Sequence, residues 1–156
     1  ARFPKGLYLD RTERVAARVL RARGDLVAAA ERLGRASQSA QDGDADRLEQ
    51  AEVQFQRGDF AAAAAIYEPL CQREDALGVR ALEGAAWCAF ELGDDDACAQ
   101  RLQRGLGHPQ AATVEPALLE LQSALHHRRE DWPAAIATAQ RFLKAHGDHP
   151  KASALR

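Results

Sequence analysis

Apolar residues recur along the chain with the three- and four-residue spacing of amphipathic helices, and polar stretches divide them into eight segments. The segments lie near 7–23, 26–36, 48–55, 60–72, 82–90, 97–102, 115–125 and 133–145. Alternation of apolar and polar positions is absent and β-branched residues are few, so no segment resembles a β-strand. The pattern predicts an all-α fold.

Tight turns divide the eight segments into four pairs. Three turns have Gly followed by Asp, at 24–25, 58–59 and 93–94, whereas the fourth has Glu130 followed by Asp131. Glycine ends a helix where φ must be positive, and aspartate caps the next helix. Glu130 would cost about 1 kcal/mol in the same left-handed conformation, unless the fourth turn has another geometry. The turns are 34, 35 and 37 residues apart, which indicates a helical repeat array.

Each pair carries small residues where two antiparallel helices would cross closely. They stand seven positions before and five positions after each turn: Ala17, Ala29, Ala51, Ala63, Ala86, Cys98, Ser123 and Ala135. The residues nine positions after the turns are expected to fill the space toward the next pair. They are Leu33, Tyr67, Leu102 and Ala139.

These features resemble the tetratricopeptide repeat (TPR) family over nearly the whole chain. The resemblance is strongest in the second pair, where Gly58-Asp59-Phe60 forms the turn, Ala63 follows and Tyr67 comes four residues later. Most first helices lack the Trp and Leu-Gly residues of the family. The resemblance implies a right-handed α-solenoid of antiparallel helix pairs, a TPR-like superhelix. It implies one domain over 1–156, with repeats near 8–41, 42–74, 75–110 and 113–147 and the start of a further helix within 148–156.

The resemblance also implies that the first helix of each pair faces a concave groove. The groove-facing positions lie 13, 10, 6 and 3 residues before each turn. They hold Arg11, Arg14, Arg18, Arg21, Ala45, Leu48, Glu52, Phe55, Arg80, Glu83, Trp87, Phe90, Ala117, Glu120, Ala124 and His127. From this set we predict eight partner-binding residues: Arg14, Arg18, Glu52, Phe55, Glu83, Trp87, Phe90 and His127.

Two clusters in this set allow more than one interpretation. The four arginines of the first helix could bind an anion or an acidic peptide, since guanidinium groups bind carboxylates bidentately. They could also form a solvated face with local ion pairs, such as Asp10 with Arg14. Phe55, Trp87 and Phe90 could anchor a partner or pack between repeats. With basic, aromatic and acidic parts, the groove would favour a mixed-charge peptide.

The sequence predicts a protein–protein interaction scaffold that binds a peptide or helix of a protein partner, whose identity it does not reveal. The resemblance adds the expectation of a larger bacterial assembly of the envelope, secretion or polysaccharide-export type. Two alternatives stay open: a substrate-recruiting accessory region of a larger enzyme, and a scaffold that self-associates as a homo-oligomer through its end helices. The carboxylate clamp of one family branch is rejected, because Glu52 replaces its Asn and Gly84 replaces its Arg.

Composition and motifs argue against several other functions. The 156 residues carry a formal net charge of −2 and have no apolar run near the roughly 18 residues of a membrane span, so we expect neither nucleic-acid binding nor membrane insertion. His126 and His127 are adjacent and point about 100° apart on a helix, so they cannot bind one metal ion together. Residues 42–46 open like a calcium loop, but Arg47 occupies its glycine position. No phosphate-binding or nucleophile motif occurs, so we predict no metal, no cofactor and no enzymatic activity.

The cysteines and the N-terminus bear on the compartment. Cys71, Cys88 and Cys98 lack CxxC spacing, and we expect buried free thiols, which weakly favours a reducing compartment. The chain contains no Met, and its N-terminus lacks the apolar stretch of a signal peptide. We expect an excised fragment or a processed product of a longer protein, so cytoplasm and periplasm both stay open.

Overall fold

The structure is a computed structural model that describes residues 5–39 and 43–150, with side chains at 11–38 and 43–150. Within these residues the chain forms eight α-helices, a short 3-10 helix at Ala111–Thr113, and no β-strand. The α-helices are α1 (Lys5–Ala22), α2 (Leu26–Ser39), α3 (Asp44–Gln56), α4 (Phe60–Leu70), α5 (Ala76–Glu91), α6 (Asp95–Leu106), α7 (Glu115–Arg128) and α8 (Trp132–His146). The predicted all-α fold is confirmed.

Two predicted features lie partly outside this description. Of the polar stretch near 41–44, residues 41 and 42 lie outside the described residues, and so do residues 151–156 of the further helix expected within 148–156. None of the described helices is long and apolar enough to span a membrane.

The helices pack in chain order as four antiparallel pairs, and each pair packs against the next to form a helical repeat solenoid. One core cluster joins α3, α4 and α5 around Leu48, Tyr67 and Leu82. The next cluster joins α5, α6 and α7 around Leu102 and Leu118. Because each core is shared between neighbouring pairs, no pair buries its apolar face alone.

The four tight turns share one backbone geometry. The bend residue has a positive φ in each turn: +80° at Gly24, +79° at Gly58, +77° at Gly93 and +58° at Glu130. The N–H of the following aspartate bonds back to the first helix, as Asp59 N–H does to the Gln54 carbonyl at 3.0 Å. Glu130 therefore adopts the left-handed conformation, and the fourth turn does not have another geometry.

Each turn aspartate also caps the second helix of its pair, as predicted. Its carboxylate accepts a hydrogen bond from the N–H three residues later, with N–O distances of 3.1, 3.2, 3.0 and 3.2 Å at Ala28, Ala62, Ala97 and Ala134. Such a cap satisfies an N–H group that has no partner within the helix. The dipeptide signal thus sets both the end of one helix and the start of the next.

The predicted small residues are most closely packed in the first three pairs. All six of their crossing residues are at most 1% exposed. In the fourth pair, Ser123 and Ala135 are only half-buried. The same trend holds nine residues after the turns, where Leu33, Tyr67 and Leu102 are buried but Ala139 is half-buried. The fourth pair is the least covered of the four.

Candidate functional site

A cavity of about 450 Å³ opens between α3 and α5, beside the end of α1. Its lining residues come from the first three helix pairs: Arg21, Glu52, Phe55, Gln56, Tyr67, Arg80, Glu83, Gly84, Trp87 and Glu91. We refer to this cavity as the central pocket. Its volume falls within the range of about 300–1,000 Å³ that is common for ligand-binding sites.

Aromatic rings form the apolar part of the central pocket. Tyr67 reaches from α4 toward α5 and is 3% exposed, whereas Phe55 and Trp87 are half-buried. Gly84 makes room for the Tyr67 ring, since a Cβ at this position would lie 2.4 Å from the ring carbon Cζ. Phe60 packs edge-on against Phe55, with ring centroids 5.1 Å apart. The Tyr67 ring is therefore held between α4 and α5, and Phe55 is supported within its own helix pair.

Both arginines of the central pocket face polar groups on α3. Arg80 forms an ion pair with Glu52. Arg21 lies 3.9 Å from carboxylate oxygens of Glu49 and Glu52, and its Nε donates a hydrogen bond to Gln56 Oε1 at 3.0 Å. The two positive charges are thus already balanced by acidic groups of the protein.

A second acidic region lies on α5. Glu83, Trp87 and Glu91 follow one another at four-residue spacing, which places them on one face of the helix. All three line the central pocket, so carboxylates precede and follow the indole ring along α5. Together with Glu52, the pocket has three carboxylates and two guanidinium groups, and its net charge is negative.

The pKa of Tyr67 is sensitive to this charge. Burial is the largest effect and raises the pKa of the Tyr67 hydroxyl well above its usual range. The carboxylates of Glu52 and Glu83 raise this pKa further, and Arg80 lowers it by less. The Tyr67 hydroxyl therefore stays neutral at physiological pH, chiefly because it is buried.

The structure brings together four of the eight predicted partner-binding residues. Glu52, Phe55, Glu83 and Trp87 line the central pocket. Arg14 and Arg18 do not line it. Arg14 bonds instead to Asp46 on α3, with its Nε 2.5 Å from Oδ1, and Arg18 is exposed on α1.

The remaining two predicted residues also lie outside the pocket lining. Phe90 packs edge-on against Trp87 at 5.9 Å and lies beneath the guanidinium group of Arg128, whose central carbon is 3.7 Å from the ring centroid. His127 packs edge-on against Trp132 across the fourth turn at 4.8 Å. Phe90 thus joins the third and fourth pairs, while His127 belongs to the fourth pair alone.

The arginine stripe of α1 pairs with a neighbouring helix. Arg14 and Arg21 both reach acidic residues of α3, so the observed ion pairs run between the first and second repeats. The side chain of Asp10, the partner suggested by the sequence, lies outside the described residues. Among the described residues, Arg11 and Arg18 form no ion pair.

Four pocket residues lie outside the groove-facing positions expected from the sequence: Gln56, Tyr67, Gly84 and Glu91. Tyr67 was predicted to fill space between repeats, and its ring also lines the pocket. Gly84 could have been noticed in the sequence. A glycine inside a helix lowers helix stability by about 1 kcal/mol relative to alanine, so its presence often indicates close packing at that position. Glu91 could have been found from its four-residue spacing to Trp87.

The rest of the described structure offers little for metal or nucleophile chemistry. No group of three metal-ligating side chains occurs within the described ranges. The three cysteines are free and buried, as predicted, and burial raises the pKa of each thiol to about 11. They are therefore protonated at neutral pH, which disfavours reaction as thiolates.

No protein-family model matches the chain, and no curated protein matches it. The interpretation of the central pocket therefore depends on its own geometry and charge.

Proposed function

We propose that the protein is a TPR-like scaffold that binds a peptide or helix of a partner protein along the groove formed by α1, α3 and α5. The observation that carries this proposal is the central pocket, where rigid helices present Trp87, Phe55 and Tyr67 beside charged groups. Large aromatic side chains contribute much of the binding energy at protein interfaces. Surrounding charged groups would orient the bound segment.

The pocket is built so that a bound segment needs little rearrangement of the protein. Its rings are supported by packing across repeats, as shown by the contact of Tyr67 with α5 at Gly84. Preorganised side chains lose less conformational entropy when a ligand binds. Recognition in this proposal is passive and involves no bond making or breaking.

We extend the proposal to biological context through the TPR resemblance alone. A scaffold of this kind would serve a larger bacterial assembly, of the envelope, secretion or polysaccharide-export type. Recruitment of substrate to an enzyme is an alternative use of the same groove, and in both cases the bound partner is a protein or peptide.

Selection of peptides tests the groove directly. Random dodecapeptides displayed on phage would be selected on the immobilised chain, and enriched peptides would be synthesised and titrated calorimetrically. We expect Trp87→Ala to weaken binding by about tenfold or more, since such anchors typically contribute at least about 1–2 kcal/mol. Trp132→Ala is the matched control, because Trp132 is 51% exposed on α8 and outside the pocket.

Circular dichroism would first establish that both variants are folded. Peptides that bind both variants as tightly as the unchanged chain would contradict the groove proposal. Failure to enrich any peptide would contradict it as well.

A second candidate function, self-association, is favoured by the exposed apolar faces of the first and last described helices, α1 and α8. Val15 and Val19 are 58% and 46% exposed on α1, and Trp132 and Ile136 are 51% and 58% exposed on α8. Exposed apolar groups clustered on one helix face often mark an interaction surface.

The two exposed faces correspond to the two sides of an internal repeat interface. Val15 and Val19 stand nine and five residues before their turn, where the fourth pair has Leu121 and Leu125, which are buried in the α5–α6–α7 cluster. Trp132 stands two residues after its turn, in the position of Phe60 in the α3–α4–α5 cluster. We propose that α8 of one copy covers α1 of a second copy in the same manner.

Two aspartate variants, one on each of the two contacting helices, test this head-to-tail contact. Val19→Asp damages one end and Ile136→Asp damages the other. Light scattering over a concentration series should show that the unchanged chain self-associates and that each variant alone is monomeric. An equimolar mixture should form a dimer and nothing larger, because only one intact contact remains. A strict monomer for the unchanged chain at all concentrations would refute this candidate.

A further inference from the structure

The central pocket combines an interior of aromatic rings with charged groups that already have partners in the protein. We propose that it binds a large uncharged side chain of the partner segment, with phenylalanine preferred, between Phe55 and Trp87 and against Tyr67. This rests on the groove-binding function proposed above and deepens it, since it names the part of the partner that enters the pocket.

The charged groups of the pocket are largely matched within the protein. Arg80 on α5 forms an ion pair with Glu52, and Arg21 lies 3.9 Å from the same carboxylate group. Glu83 has an interaction of its own, and Glu91 is exposed to solvent. A charged side chain that entered the pocket would lose its hydration and compete with these interactions, whereas an uncharged side chain leaves them intact. The pocket therefore favours an uncharged occupant.

Two rings of the pocket are supported by further rings that do not line it. Trp87 packs edge-on against Phe90 with centroids 5.9 Å apart, and Phe55 packs in the same way against Phe60 at 5.1 Å. Tyr67 is 3% exposed and lies against α5. An aromatic occupant would add ring–ring contacts to the burial of its apolar surface. Phenylalanine therefore ranks above leucine, and both rank above alanine.

Contacts between the first helices of successive pairs follow a repeated pattern in the groove. The residue three positions before one turn meets the residue two positions before the next turn. Between the first and second pairs, Arg21 Nε donates a hydrogen bond to Gln56 Oε1 at 3.0 Å. Between the third and fourth pairs, the guanidinium group of Arg128 lies 3.7 Å from the centroid of Phe90. The chain thus covers the groove with its own side chains at both places.

The equivalent residues between the second and third pairs are Phe55 and Glu91, and both line the central pocket. The face of an aromatic ring carries partial negative charge, so a carboxylate is not attracted to it. Glu91 therefore does not provide Phe55 with the kind of cover that Arg128 gives to Phe90. An apolar side chain of the partner would provide it.

A guanidinium group of the partner fits this pocket less well. Arg128 is balanced at its own site by an ion pair with Asp95 and by a hydrogen bond to the Phe90 carbonyl at 2.8 Å. In the central pocket, Glu52 is already paired with Arg80, which lines the pocket as well. A second guanidinium group would therefore meet a resident one.

Capped tripeptides isolate this contact from the rest of a partner. In the Trp132→Phe variant Trp87 is the only tryptophan, since the chain has two. Acetyl-Gly-Phe-Gly-amide would be titrated while the fluorescence of Trp87 and its indole N–H resonance are recorded. The matched probes replace phenylalanine by leucine, alanine, arginine or glutamate.

We expect the phenylalanine peptide to bind with a millimolar dissociation constant and the leucine peptide to bind somewhat more weakly. The alanine, arginine and glutamate peptides should each bind at least about tenfold more weakly than the phenylalanine peptide, because they bury less apolar surface or carry a charge into the pocket. Added sodium chloride should not weaken binding of the phenylalanine peptide, since salt screens charges and leaves apolar contacts in place.

Closing the pocket with a side chain of the protein itself is the second test. Glu91→Arg introduces an arginine at the position equivalent to Arg128, so its guanidinium group should cover Phe55 and weaken binding of the phenylalanine peptide by about fivefold. Glu31→Arg makes the same change of charge at an exposed position of α2 and should leave binding unchanged. Circular dichroism would first establish that both variants are folded.

Equal binding of the phenylalanine and alanine peptides would overturn the inference, and so would tighter binding of the arginine or glutamate peptide. Absence of saturable binding by the phenylalanine peptide, or unchanged affinity in a folded Glu91→Arg variant, would overturn it as well. These results are distinguishable from failure of the groove proposal. If phage selection yields peptides that need Trp87 but share no large apolar residue, the groove function stands and only this inference fails.

Discussion

The second and fourth helix pairs carry the same turn and differ in what covers them. In the second pair Ala51 and Ala63 are fully buried, and α5 lies over Tyr67. In the fourth pair the residues equivalent to these alanines are half-buried. The comparison teaches that the repeat motif sets the shape of a hairpin, while the next pair supplies most of its burial.

The aromatic residues two positions after the turns show the same contrast. Phe60 packs against Phe55 within a core cluster, whereas Trp132 contacts His127 and is 51% exposed. Both pairs are edge-on contacts of nearly equal centroid distance, 5.1 and 4.8 Å. The local arrangement is therefore repeated, but only the covered copy contributes a wall of the central pocket.

The largest effect is expected from removing the side chain that couples the second and third pairs. Tyr67→Ala should lower the free energy of unfolding by about 3–5 kcal/mol, since a large buried ring leaves a cavity. Ile136→Ala, on the exposed face of α8, is the matched control and should cost less than about 1 kcal/mol. Urea unfolding measures both, and equal losses would show that α4 and α8 are equally covered.

A smaller loss of stability is expected from adding a side chain at Gly84, where α5 contacts the Tyr67 ring. Gly84→Ala should cost about 1–3 kcal/mol, because the new Cβ meets the Tyr67 ring. In the Tyr67→Ala background the substitution should be neutral or stabilise the protein by up to about 1 kcal/mol, since the ring is gone and Ala favours the helix more than Gly. A double-mutant cycle of unfolding free energies tests this coupling. Simple additivity would mean that the contact between Gly84 and Tyr67 does not form.

The turns offer a reciprocal pair of changes. Gly58→Ala should destabilise the protein by about 1 kcal/mol, because φ is +79° and no neighbouring atom contributes a clash. Glu130→Gly should stabilise it by a similar amount, about 1 kcal/mol, by relieving the left-handed Glu130. Thermal unfolding should shift in opposite directions for the two variants. A destabilised Glu130→Gly would indicate that the glutamate side chain makes compensating contacts.

The smallest losses of stability are expected at the helix caps. The two caps should differ in how many helices open when the cap is removed. Asp59→Ala and Asp131→Ala should each cost about 0.5–1 kcal/mol, through loss of the hydrogen bond to the third N–H of the helix. Hydrogen exchange should show that Asp131→Ala opens α8 alone, because that helix is covered on one side. Asp59→Ala should instead change exchange across α3, α4 and α5. If Asp59→Ala also opened only the helix that it caps, the expectation that α3, α4 and α5 open together would be wrong.

Much of the fold could be predicted because its signals are local. The positions of Gly58 and Asp59 fix the end of α3 and the start of α4 through backbone hydrogen bonds over a few residues. Helix ends differ slightly from the prediction: α4 ends at Leu70, whereas the sequence predicts its end at about Gln72. The small crossing residues were also identified, since their spacing from each turn is constant.

The candidate site was predicted only in part, because side-chain partners far apart in sequence leave little signal. Glu52 and Trp87 were placed in the groove, and both line the central pocket. The pairing of Arg14 with Asp46 depends on how α1 lies against α3, which spacing within one helix does not show. Arg14 was therefore expected in the groove, although its guanidinium group is held by another repeat.

The sequence by itself determined the all-α class, the repeat period, the four turns and the small residues at the crossings. These features depend on backbone geometry and helical periodicity within a few dozen residues. Only the tertiary structure decided which groove residues share a pocket, and which tryptophan is covered. Trp87 lies in a wall of the central pocket and Trp132 faces outward because packing of one pair on the next, and not the residue type, sets their surroundings.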